Sequence, residues 1–152
     1  MSNDSRKLLV VEDDPGLQTQ LKWCFEGYDV VIAGDRETAL SELEKHRIPV
    51  VTLDLGLPPD ADGTSEGFQT LESILSKSPA AKVIVVTGNN DRQHALQAIG
   101  MGAYDFFYKP IDAELLGFIV NRAYRLYEIE DENQRLQFSG GESPLELSLI
   151  HI

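Results

Sequence analysis

Five short runs of aliphatic and β-branched residues punctuate the chain: KLLVV from Lys7, DVVIAG from Asp29, PVVTLDL from Pro49, KVIVVTG from Lys82 and YDFFYKP from Tyr104. Between them the apolar positions change to helical spacing. Leu17, Leu21, Cys24 and Phe25 share one face, as do Ala39, Leu40 and Leu43, then Phe68, Leu71 and Leu75, then Ala95, Leu96 and Ile99. Strands alternating with amphipathic helices predict a parallel sheet wrapped on both sides, an α/β doubly wound fold. Asp14 stands before Pro15 and Asp35 before the second helix, both placed to cap a helix start. Trp23 falls off its stripe and is expected at an edge. A long polar loop, GLPPDADGTSEG, follows the third strand, and a final helical pattern begins near Asp112 and runs on through LYEIEDENQRLQ.

Composition narrows the partners. The 152 residues suit one domain with an appendage, and 25 acidic against 13 basic residues leave a formal net charge of -12, which repels both phosphate backbones and anionic lipid. DNA binding is therefore expected only through a further, output domain. One cysteine, Cys24, forms no internal disulfide and lies on an apolar stripe, so it reads as core. His46, His94 and His151 have no metal-ligand spacing, and no run approaches membrane-span length. The expectation is a cytoplasmic protein with no membrane partner.

Ligands of open parallel sheets sit beyond the carboxyl ends of the strands. The first strand delivers Glu12 and Asp13 there, the third Asp54, the fourth Thr87 and the fifth Lys109. Crowded carboxylates repel and push one another toward protonation unless a cation intervenes. Their oxygens suit a hard divalent ion such as magnesium. Asp14 is better read as a helix cap than as a ligand.

Over residues 6–128 this constellation resembles the receiver domain of two-component response regulators. The resemblance implies a flavodoxin-like fold, five parallel strands in the order 2-1-3-4-5, and an extended C-terminal helix. It also implies that Glu12 and Asp13 bind Mg2+ and that Asp54, followed by LGLP, accepts a phosphoryl group from a sensor histidine kinase. Gly56 would offer its carbonyl to the metal. Thr87 with Gly88 behind it would contact the phosphoryl oxygens, Lys109 before Pro110 would pair with them, and Phe106 matches the aromatic that moves on switching, although the same ring could simply be core. The Lys109–Pro110 peptide is commonly cis in such domains. Catalysis would extend only to the domain's own Mg-dependent phosphorylation and dephosphorylation.

One departure stands out: PPDADGTSE lengthens the loop between the acceptor aspartate and the third helix, adding Asp60, Asp62 and Glu66 near the pocket. The run LDLGLPPDADGTSEGF is also similar to nitrogen-regulator-type transcription factors associated with PEP-CTERM sorting. In the last helix, Ile119, Leu126 and Asn133 at a with Leu115, Arg122, Ile129 and Leu136 at d form a heptad line. Leu115 and Ile119 are expected on the domain's own core. Leu126, Ile129, Asn133 and Leu136 are expected to pair in a parallel homodimer, with Arg125 meeting Glu130 of the partner helix. Residues 129–137 would form this linker helix and 138–152 a flexible tail or the start of an output domain. Three functions remain open: a receiver controlling a transcription-activating output domain, a stand-alone receiver acting as a phosphorelay or protein-binding switch, and a metal-dependent aspartyl phosphatase. The last would need a cap domain and a second catalytic acid.

Overall fold

The computed structural model describes residues 6–57, 64–88 and 92–140, with side chains through Leu136. Its order is β1 (Lys7–Val11), α1 (Pro15–Cys24), β2 (Asp29–Ala33), α2 (Arg36–Lys45), β3 (Val50–Asp54), α3 (Ser65–Lys77), β4 (Lys82–Thr87), α4 (Arg92–Met101), β5 (Asp105–Tyr108) and α5 (Ala113–Gly140). All neighbouring strands pair in parallel, in the order β2-β1-β3-β4-β5. The three central strands are almost wholly buried, while β2 and β5, each paired on one side, are partly open. Alternate residues serve opposite faces of the sheet. Leu9, Val11, Val51, Leu53, Val83 and Val85 join Leu71 and Ile74 of α3 in one core. Leu8, Val10, Val50, Ile84, Val86 and Phe107 meet Leu21 of α1 and Leu116 and Val120 of α5 in the other.

The expected caps form: Asp14 accepts from the Gly16 amide at 2.9 Å and Asp35 from the Thr38 amide at 2.8 Å. Trp23 is exposed, as an edge residue. Cys24 is half-buried beside the second core. Gly102, at φ 119, turns the chain out of α4 into β5, a backbone conformation that favours glycine.

Two inward faces differ from their expected register. In α4 the buried residues are Ala95 and Ala98, whereas Leu96 and Ile99 are 54% and 38% exposed. Apolar character alone misplaces this helix, because it meets the sheet through alanines. In α5 Leu115 is 50% exposed, and Leu116, Val120, Ala123 and Tyr124 turn inward instead. A shift of one residue rotates a helix by about 100°, so the expected heptad line lies roughly a quarter-turn from the buried one. Ile119 does pack on the core. Helix α5 also includes Phe138–Gly140, expected in the tail.

Candidate functional site

Strand ends and one helix cap build the site. Pairing of β1 between β2 and β3 carries Glu12 past the last ladder pair, where its amide still donates to the Ala33 carbonyl. The side-chain amide of Gln18, one turn into α1, donates to the Glu12 carbonyl and fixes the β1–α1 turn. Asp54 ends β3 opposite Val86, and Thr87 ends β4 opposite Tyr108. The Lys109 amide donates to the Thr87 carbonyl at 2.8 Å, and the Lys109–Pro110 peptide is cis, as expected.

Carboxylate oxygens of Glu12, Asp13 and Asp54 lie within 4.8 Å of one another. Glu12 and Asp54 are buried, with Asp13 more open at the mouth. The Lys109 ammonium stands 3.4 Å from Asp54 Oδ1. Asp54 Oδ1 also accepts from the Gly56 amide at 3.2 Å, so Gly56 lies beside the acceptor carboxylate. Thr87 is buried at the rim, and Gly88 behind it is exposed. Phe106 is half-buried against the α2–α4 core, its ring centroid 5.2 Å from that of Tyr108.

Burial pushes the Glu12 carboxyl up to about 7, and the Asp54 charge adds to the rise. The Asp14 amide, donating to Glu12 at 3.1 Å, and the Lys109 charge pull the other way without cancelling it. Buried carboxylates with one ammonium among them form an anionic, oxygen-rich pocket. That donor set fits a hard divalent cation, whose charge would offset the burial and the Asp54 repulsion that together raise the Glu12 carboxyl.

The structure also shows contacts that hydrophobic spacing did not signal. A Cβ on Gly67 would stand 2.2 Å from the Leu55 carbonyl oxygen, so the backbone of α3 touches the chain just past Asp54. Both ends of the lengthened loop are thereby closed against each other. Glu66 pairs with Arg36 at 3.1 Å, so its charge is compensated at the loop end. Asp60, Asp62 and the rest of the loop's centre lie outside the described residues. The expected dimer residues sit far from the pocket on α5: Leu126 is half-buried, while Ile129, Asn133 and Leu136 are exposed.

Residues 8–121 match the family described as response regulator receiver domain. The chain is 30% identical over 132 residues to the nitrogen assimilation regulatory protein NtrX of Azorhizobium caulinodans, covering 86% of this chain and 28% of that protein. It is 31% identical over 111 residues to the chemotaxis protein CheY of Listeria monocytogenes, covering 71% of this chain and 89% of CheY. The crystal structure of NtrX from Brucella abortus in complex with ADP superposes with a TM-score of 0.81 at 26% identity, over 91% of this chain and 30% of that one. The chain thus spans under a third of the NtrX proteins it matches.

Proposed function

The chain belongs to the response regulator receiver domain family, with NtrX proteins among its relatives, and from that premise we propose that Asp54 accepts a phosphoryl group from a sensor histidine kinase with Mg2+ in the acidic pocket. The single observation that carries this reading is the placement of Glu12, Asp13 and Asp54 within 4.8 Å, with Lys109 3.4 Å from Asp54. An Asp54 oxygen attacks phosphorus while the bond from phosphorus to the donor's imidazole nitrogen breaks. The imidazole keeps the electron pair and takes a proton from water. Bound through Glu12, Asp13, Asp54 and the Gly56 carbonyl, Mg2+ would neutralise charge on the phosphoryl oxygens.

This chain's own residues do the rest. Lys109 supplies the second positive charge and transfers its partnership from the bare carboxylate to the new phosphoryl oxygens. Thr87 offers its hydroxyl to one of those oxygens, with Gly88 behind it. Withdrawal of Thr87 toward the phosphoryl group vacates room near Phe106, whose ring turns inward as the domain switches.

The output of that switch is transcriptional, through a domain joined at α5, in the cytoplasm. NtrX relatives of more than three times the matched length support this, and so does the continuation of α5 past the core. Among the described residues no helix is long and apolar enough to cross a membrane. Residues 129–137 serve as a linker helix, and exposed Ile129, Asn133 and Leu136 with half-buried Leu126 supply a homodimer seam. Assignment to the PEP-CTERM-associated group rests on a run whose centre lies outside the described residues.

Incubation with acetyl phosphate and magnesium tests the reading. Intact mass should show one added phosphoryl group, absent in Asp54→Asn and without magnesium. Phosphorylation persisting in that variant contradicts it.

A further inference from the structure

The opposite end of the sheet carries a second electrostatic arrangement that phosphoryl chemistry does not use. Beyond Tyr127 the described part of α5 buries no apolar side chain: through Leu136 only Asp131 is half-buried. A helix running on past its packed core gains only marginal stability from its own hydrogen bonds, and here the segment has partners on the receiver. They are ionic. Arg6, ahead of β1, meets Glu128 at 3.3 Å; Lys82, opening β4, meets Glu130 at 2.7 Å; Arg47, in the α2–β3 turn, meets Asp131 at 2.8 Å. Arg47 also donates to the Tyr127 hydroxyl at 2.7 Å, and Arg6 lies 5.0 Å over the Tyr124 ring. Three cations from three separate segments therefore hold three acids within a single turn of one helix, Glu128 to Asp131.

We propose that Arg6, Arg47 and Lys82 form an ionic clamp that carries the distal half of α5 as one rigid body with the receiver, fixing its rotational phase where it leaves the domain. Exposed pairs taken singly stabilise little, but Lys82 is only 14% exposed and the three act on one short segment. With Tyr127 and Asp131 turned to the clamp, Ile129 and Leu136 face solvent. Glu130, expected to meet Arg125 of a partner helix, instead holds Lys82 of its own chain. Arg122, expected in the seam, donates to the Tyr104 hydroxyl and to Asp105. The clamp itself does not rest on the dimer reading or on phosphorylation.

Hydrogen exchange on the full chain, without phosphodonor, tests the clamp. In Arg47→Glu/Lys82→Glu, amides 128–136 should exchange about tenfold faster than in the wild type, and 1 M salt should loosen the wild type in the same window. Amides of Val83–Val86 serve as the control for a folded sheet. Lys82→Glu alone should show a smaller loss of protection, and adding Glu130→Lys should restore it. Unchanged protection of 128–136 in the double variant and in high salt overturns the proposal. So does failure of Glu130→Lys to rescue Lys82→Glu while the sheet stays protected.

Discussion

The two ends of the sheet handle charge in opposite ways. At the carboxyl end, Glu12, Asp13 and Asp54 crowd within 4.8 Å and share the ammonium of Lys109. At the amino end, Arg6, Lys82 and Arg47 each have an acidic partner on α5. One end holds repulsion that a cation can relieve; the other has its charges matched. The difference separates a site poised for a ligand from a surface that positions a helix. It also shows that a net charge of -12 says little about local electrostatics.

The largest expected effect breaks the frame that holds the carboxyl end together. Gly67→Ala drives a Cβ into the Leu55 backbone and should cost about 3 kcal/mol in chemical denaturation. No side chain can move aside to reduce that cost. Next, Asp13→Ala should weaken magnesium binding by about 100-fold in calorimetric titration, whereas Arg47→Ala should leave it unchanged.

Neutralising a charge then sharpens the contrast by giving opposite signs at the two ends. Glu12→Gln should raise the stability of metal-free protein at pH 8 by about 1–2 kcal/mol, because it removes a buried, repelled charge. Arg47→Ala should lower it by about 0.5–1 kcal/mol. The pH dependence has a defined direction. Between its ordinary value of 4.5 and about 7, Glu12 holds a proton in the folded chain that the unfolded chain has lost. Its contribution to the stability of metal-free protein is therefore fully present below 4.5 and is lost as pH rises through 7. Magnesium affinity should show the reverse trend, weakening toward tenfold per unit below about pH 7 as the proton competes with the cation. A flat affinity across that window would remove Glu12 from the binding equilibrium.

The carboxyl-end half of this contrast could be read from the chain, for a physical reason. Strand ends in a parallel sheet point to one place, so Glu12, Asp13, Asp54, Thr87 and Lys109 could be brought together once the strands were recognised. The runs around Val10, Leu53 and Val85 are buried on both faces and read clearly. Helix faces were less legible. Leu96 and Leu115 are apolar yet exposed, because α4 meets the sheet through Ala95 and Ala98, and α5 turns Leu116 rather than Leu115 inward. The amino-end pairs bring together residues more than forty positions apart, as with Lys82 and Glu130, and no local pattern announces such a match. The Gly67 contact is likewise tertiary, made when α3 closes onto the chain beyond Asp54.

Thermal unfolding at pH 8 with and without 10 mM magnesium, a concentration on the order of that needed to fill a weak carboxylate site, tests the central claim most directly. Magnesium should raise the midpoint of the wild type by several degrees. The same rise should appear in Arg47→Ala, whose altered charge lies at the other end, and should vanish in Asp13→Ala. An equal magnesium-dependent rise in Asp13→Ala, or none in the wild type, would contradict the assignment of the uncompensated charge to a cation site.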